Sequence, residues 1–123
     1  MPMSDPVRLR RRSWLAANGA LCAAAAVALS AYAAHAAQGP AQARLQTAAL
    51  FAFGHGLALA VLAPLATRGS TRLALAMLYA GMLLFAGSLV LNVLAQWPTT
   101  LAPFGGILLI AGWLLYAVDA LRR

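Results

Sequence analysis

Residues Thr47–Ala66 read TAALFAFGHGLALAVLAPLA, an apolar run long enough to cross a bilayer as a helix. Its only titratable side chain is His55. Small residues recur at every fourth position of the run, at Ala48, Ala52, Gly56 and Ala60. Residues with this spacing share one face of a helix, where a second backbone can approach closely. The stretch therefore predicts a transmembrane helix at the centre of a small helix bundle.

The composition of the whole chain indicates a membrane protein. Of the 123 residues, 63% are hydrophobic and only 9% are charged, whereas about 25% of a typical soluble domain is charged. A soluble chain of this length could not cover so much apolar surface. The length predicts a single domain, with the lipid bilayer as its surroundings.

The net charge of +7 does not indicate nucleic-acid binding. All nine basic residues are Arg, and they lie in short clusters between the apolar runs. A nucleic-acid site needs a basic face on a folded surface, whereas clusters beside apolar runs are typical of topology signals. The expected partners are therefore lipid and, in addition, other membrane proteins or a second copy of the chain.

Four apolar runs predict an all-α, integral membrane four-helix bundle. We place the helices at about 14–37, 46–66, 72–95 and 103–121, with a basic tail at 1–13 and a basic end at 122–123. The intervening polar segments are predicted loops, and Pro64 should kink or end the second helix. Short loops make sequential helices antiparallel neighbours.

The distribution of Arg predicts the orientation of the bundle. The N-terminal tail contains four Arg, the second loop two and the C-terminal end two, whereas the opposite side has only Arg44. The positive-inside rule therefore places both termini in the cytoplasm. Trp14 and Trp97 fall at opposite membrane boundaries, as interfacial aromatic residues do.

The first apolar run has a second interpretation as a cleavable signal peptide. A basic segment, an apolar segment and Ala34-His35-Ala36 before Ala37 fit that pattern. Against it, the run from Trp14 to Ala37 is longer than the usual apolar segment of about 7–15 residues. We favour retention of this helix in the mature protein.

Polar side chains within the spans are the candidate functional residues, because polar groups in hydrocarbon are costly. The candidate cluster lies in the outer half of the bundle and consists of His35, His55, Ser88 and Asn92. It is either a ligand pocket around His55 or a set of interhelical hydrogen bonds of about 0.6 kcal/mol each. We favour the second interpretation. It predicts that the His55 ring faces the bundle interior and bonds to the third helix or to nearby backbone.

The sequence offers no recognisable catalytic or metal-binding set. The carboxylates are Asp5 and Asp119, both toward the chain ends, and His35 and His55 differ by roughly 10 Å in predicted depth. We expect no enzyme activity, cofactor or metal. Small residues instead predict close packing between helices. The predicted packing residues are Ala48, Ala52, Gly56 and Ala60 of the second helix, together with Gly87, Gly105, Gly106 and Gly112.

Five short motifs together resemble the family called domain of unknown function 423, which is related to eukaryotic transmembrane protein 256. Ser30-Ala31-Tyr32-Ala33-Ala34-His35 is similar to the family's GAFGAH signature. The other motifs follow in family order: His55, Phe85-Ala86-Gly87-Ser88-Leu89, Pro103-Phe104-Gly105-Gly106 and Gly112-Trp113. The resemblance covers roughly residues 19–115.

The resemblance implies a small protein of the bacterial inner membrane with four transmembrane helices, an uncleaved first helix and an uncharacterised function. The chain departs from the family in having Phe51-Ala52 where a Tyr-Gln pair precedes the second-helix His. Two functional hypotheses remain open: a non-enzymatic accessory or assembly protein that acts through helix packing, and a small transporter or lipid-binding protein with a polar cleft near His55.

Overall fold

The computed structural model describes residues 11–122, which form four helices and no strand. The helices are α1 (Trp14–Ala36), α2 (Gly39–Leu62), α3 (Gly69–Ala95) and α4 (Ala102–Leu121), with a 3-10 turn at Ala63–Leu65. All four are long and apolar enough to cross a membrane. The predicted all-α membrane fold is confirmed.

The helix starts follow from local chemistry. The Ser13 hydroxyl caps α1 by accepting a hydrogen bond from the Ala16 backbone N–H at 3.0 Å. Pro40 and Pro103 lie in the first turns of α2 and α4, where a missing N–H leaves no helical bond unmade. Gly39 has a φ of 62°, a left-handed conformation that lets the chain reverse within a very short connection.

The second helix begins earlier than the sequence indicates. The predicted loop at 38–45 is instead helical from Gly39 onward. Its polar side chains contact α1: Gln42 Nε2 donates to the Ala33 carbonyl at 3.1 Å. Leu45 is fully buried. The polar composition of this segment therefore reflects contacts between helices and not a loop, while α2 ends at Leu62, shortly before Pro64.

The bundle consists of two helical hairpins. The α1 helix packs mainly on α2 and the α4 helix mainly on α3, and the two pairs meet chiefly through α2 and α3. A core cluster fills the space between them, with Leu59, Leu75, Leu78, Met82 and Leu109 as its large members. Large apolar side chains cover the outer faces of all four helices, as expected where the surroundings are lipid.

Within each hairpin, two glycines let the backbones touch. A Cβ on Gly56 of α2 would lie 2.5 Å from the carbonyl oxygen of Gly19 in α1. A Cβ on Gly105 of α4 would lie 2.8 Å from the carbonyl oxygen of Gly81 in α3. Real Cβ atoms do not approach other atoms this closely, so each hairpin requires these glycines.

The predicted packing residues divide into two groups. Ala48 is fully buried, and Ala52 and Ala60 are half-buried. Gly56 and Gly105 leave no room for a Cβ because backbone atoms face them, whereas a Cβ on Gly112 would meet the end of the Leu78 side chain at 2.9 Å. Gly87 and Gly106 differ from the prediction, because a Cβ at either position would meet nothing within 4 Å. Spacing alone cannot separate a contact glycine from a lipid-facing one.

Candidate functional site

His55 lies on α2 and forms hydrogen bonds through both ring nitrogens. Its Nδ1 is 2.8 Å from the carbonyl oxygen of Phe51, one turn earlier. Its Nε2 is 3.0 Å from the indole nitrogen of Trp113 on α4, which donates. A neutral ring with its proton on Nδ1 satisfies both contacts, since an indole N–H can only donate.

His55 belongs to an aromatic cluster that connects three helices. The Phe51 ring stacks on His55 with centroids 5.8 Å apart and tilts against Phe85 of α3 at 4.6 Å. Trp113 packs against His55 at 5.8 Å and against Tyr116 at 6.1 Å. The cluster joins the two hairpins at a level where α2 and α4 otherwise contact each other little.

The prediction that His55 bonds to the third helix or to nearby backbone holds through the backbone contact with Phe51, and α3 supplies no hydrogen-bond partner within residues 11–122. The polar partner comes from α4, because Phe51 fills the space between α2 and α3 by packing on Phe85. Ser88, the expected partner, is buried, and its hydroxyl has no hydrogen-bond partner within residues 11–122. Helix rotation, which depth along the axis does not reveal, decides which neighbour His55 meets.

The other candidate polar residues lie apart from His55. Asn92 accepts a hydrogen bond from Arg44 at 2.9 Å and donates to the Trp97 carbonyl at 2.9 Å. His35 is exposed near the end of α1. In the described part of the chain, no hydrogen bond joins any two of the four candidates, and no group of three His, Cys, Asp or Glu side chains is placed to hold a metal ion.

Asp119 forms the most densely bonded polar site in the described chain, and the sequence did not single it out. The Ser70 and Thr71 hydroxyls donate to its two carboxylate oxygens. Arg68 lies 3.8 Å from one of these oxygens and also donates to the Asp119 carbonyl at 3.2 Å. We call Arg68, Ser70, Thr71 and Asp119 the Asp119 cluster.

The Asp119 cluster holds the end of α4 against the start of α3. The ion-pair partner of Asp119 is Arg68, which immediately precedes α3. Asp119 is only 6% exposed, and both carboxylate oxygens are already engaged. The arrangement suits a structural clamp. The available signal was the presence of Asp119 at the same predicted end of the bundle as the adjacent hydroxyls of Ser70 and Thr71.

A groove of about 550 Å³ runs between α1 and α2 on the outside of the first hairpin. Small residues such as Ala31 form much of its lining, Val27 and Leu50 lie there too, and Ser30 and Gln46 are its polar pair. The Ser30 hydroxyl donates to Gln46 Oε1 at 3.2 Å. We call this the α1/α2 groove. His55 does not line it.

Comparison with known proteins identifies the family. Residues 29–106 match the model of a family described as a protein of unknown function, DUF423, and this segment is more than half of the chain. The chain belongs to the DUF423 family. A UPF0382 membrane protein of Staphylococcus aureus (strain bovine RF122 / ET3-1) is 33% identical over 112 residues, covering 85% of this DUF423 chain and 92% of that protein. No solved structure matches.

The family resemblance inferred from the motifs is thereby confirmed. The segment of the DUF423 match contains His35, His55, Ser88 and Asn92 but ends before Trp113 and Asp119. Two polar contacts hold α4 in place: the hydrogen bond from Trp113 to His55 and the Asp119 cluster. Each of them includes a residue beyond the matched segment.

Replacing Asp119 in this DUF423 protein should lower its melting temperature. Asp119→Ala removes the acceptor of two hydroxyls and the charged partner of Arg68, so the end of α4 keeps only the Arg68 bond to its backbone carbonyl. Asp119→Asn keeps an acceptor oxygen and should lower the melting temperature less. Thermal unfolding in detergent measures both variants. Equal melting temperatures for Asp119→Ala and the unmodified chain would contradict the clamp.

The hydrogen bond from Trp113 to His55 should contribute little energy. A double-mutant cycle of His55→Leu and Trp113→Phe should give a coupling energy of about 0.6 kcal/mol, the average for hydrogen bonds between transmembrane helices. Unfolding by a denaturing detergent measures each free energy. The same cycle with Ser88→Ala in place of Trp113→Phe should give no coupling. Coupling of His55 to Ser88 instead would place the ring against α3.

Proposed function

We propose that this DUF423 protein is a non-enzymatic accessory or assembly protein of the bacterial inner membrane, which associates with a transmembrane helix of another membrane protein. The α1/α2 groove carries this proposal. Small residues along a groove allow a partner helix to approach to backbone contact, the arrangement that drives helix association in lipid. The polar side chains, in contrast, are mostly committed to contacts within the chain.

The Gln46 side chain favours binding of a helix over binding of a lipid acyl chain in this groove. Its Oε1 accepts from Ser30, but its amide nitrogen has no hydrogen-bond partner within residues 11–122. An amide nitrogen without a partner in a largely apolar groove is unfavourable. A carbonyl or polar side chain of a partner helix would satisfy it, whereas an acyl chain would not.

The alternative of a small transporter with a polar cleft near His55 gains no support from the geometry. Both ring nitrogens already form hydrogen bonds within the chain. Two aromatic rings, those of Phe51 and Trp113, also pack against the His55 ring. A cleft there would require the Trp113 side chain to move away, which would break its hydrogen bond to His55 Nε2.

Photocrosslinking in native membranes tests the accessory role. A benzophenone amino acid at Val27 or Leu50, which line the groove, should give a discrete protein adduct of reproducible mass. The same probe at Leu83 or Ile110, on exposed positions of the second hairpin, is the control. Ala31→Trp should fill the groove and abolish the adduct, whereas Ala25→Trp, outside the groove, should not. Adducts with lipid alone at all four positions would refute the proposal.

We propose in addition that both termini face the cytoplasm and that α1 is retained. In the antiparallel bundle, Arg11, Arg12, Arg68, Arg72 and Arg122 belong to one end, whereas Arg44 belongs to the other. Reporter fusions at both termini should signal a cytoplasmic location, and intact mass should include α1. A mature chain beginning at Ala37 would contradict retention.

A further inference from the structure

The geometry points to a binding site for an anionic phospholipid where α1 begins, with Arg11, Arg12 and Arg72 as the groups that hold its phosphate. The group recognised is a phosphate, because guanidinium groups bind phosphate oxygens through pairs of N–H donors. This site lies at the end of the bundle and is distinct from the α1/α2 groove and from the Asp119 cluster.

Two cavities flank the segment 11–13. One, of about 300 Å³, is lined by Arg11, Arg12 and Arg72 together with Trp14. The other, of about 530 Å³, shares Arg11 and Arg12 but continues along small apolar side chains, among them Ala16, Ala20, Ala60 and Pro64. Arg11 and Arg12 thus border both a basic pocket and an apolar channel.

The basic segment is held in place. The Arg11 backbone N–H donates to the Pro64 carbonyl at 3.0 Å, which ties the start of α1 to the turn after α2. Arg72 Nε donates to the Ala66 carbonyl at 3.4 Å, leaving its terminal guanidinium nitrogens available. These contacts bring three cations from two distant parts of the sequence to one pocket.

Within residues 11–122 no carboxylate neutralises these three cations. The only acidic side chain in that range is Asp119, which is buried and bonded to Ser70, Thr71 and Arg68. Like charges held together repel each other unless an anion lies between them. The pocket is therefore complementary to an anion from the surroundings.

Two features favour a lipid as the source of the phosphate. The apolar channel beside Arg11 and Arg12 offers an acyl chain a path toward the membrane interior. Trp14 beside the basic pocket is 78% exposed, as an aromatic side chain at headgroup level is. Basic pockets between transmembrane helices are a known setting for anionic headgroups. A free phosphate would use the arginines but not the channel.

Native mass spectrometry of the purified full chain tests the site. Phosphatidylglycerol should bind at least about ten-fold more tightly than phosphatidylcholine with the same acyl chains. Each of Arg11→Gln, Arg12→Gln and Arg72→Gln should weaken phosphatidylglycerol binding about five-fold, and the triple variant on the order of 100-fold. Arg44→Gln, which removes the same charge at the opposite end, should leave binding unchanged. Melting temperatures identify any variant that fails to fold.

A second pair of variants separates a lipid from a free anion. Ala20→Phe narrows the apolar channel and should weaken long-chain phosphatidylglycerol, whereas Ala25→Phe, outside it, should not. Inorganic phosphate should compete only weakly. Equal binding of the two lipids, equal losses in Arg44→Gln, or phosphate competing as well as phosphatidylglycerol would each overturn the lipid site. Failure here leaves the crosslinking test at Val27 and Leu50 unaffected.

Discussion

Gly105→Ala should destabilise the protein by about 1–3 kcal/mol, the usual range for overfilling a packed contact, whereas Gly106→Ala should not. The two glycines are adjacent on α4, so the substitutions share sequence context. A Cβ on Gly105 would lie 2.5 Å from the Phe85 backbone nitrogen and 2.8 Å from the Gly81 carbonyl oxygen. These are backbone atoms, so the relief must come from separating α3 and α4. Nothing lies within 4 Å of a Cβ on Gly106.

Unfolding in a denaturing detergent gives both free energies. Gly106→Ala is expected to be neutral or stabilising by up to about 1 kcal/mol, because Ala has the higher helix propensity. If Gly106→Ala lost as much stability as Gly105→Ala, both glycines would be packing positions, as the sequence predicted, and the open surroundings of Gly106 would be contradicted.

Gly56→Ala should have an effect of similar size in the first hairpin, with Gly54→Ala as the matched control. A Cβ on Gly56 would lie 2.5 Å from the Gly19 carbonyl oxygen and 3.0 Å from the Ala23 backbone nitrogen. A Cβ on Gly54 would meet nothing within 4 Å. We expect a loss of about 1–3 kcal/mol for the first substitution and none for the second.

The paired substitution in α1 sharpens this test. Gly19→Ala should also destabilise, since its Cβ would lie 2.7 Å from the Gly56 carbonyl oxygen. Once either methyl group has separated α1 from α2, the second should add less than its own effect. A double variant that loses the full sum of both effects would show that the two glycines do not share one contact.

The fold could be predicted from the sequence because its signals are long and redundant. Four apolar runs, the Arg clusters beside them and short connections each indicate the same four-helix arrangement. The error at the start of α2 arose where polarity has two causes: Gln42 and Gln46 are polar because they bond to α1, not because they lie in a loop.

The contacts between helices could not be predicted in the same way. Depth along a helix follows from residue counting, but rotation about the helix axis follows from side-chain packing. Rotation decides that His55 meets Trp113 while Ser88 meets no partner. It also decides that Gly105 is a contact and Gly106 is open. Asp119 was underestimated because its partners lie far away in the sequence.

The division into two hairpins bears on how the protein is made. Each hairpin closes through its own glycine contact, Gly19 with Gly56 and Gly81 with Gly105. We therefore expect the first pair to close while the second is still being synthesised, with the halves associating afterwards in the bilayer. The connection at Thr67 would then hold the two hairpins together without being needed for either one to form. Two separate chains produced by dividing the gene there should each keep their internal glycine contact.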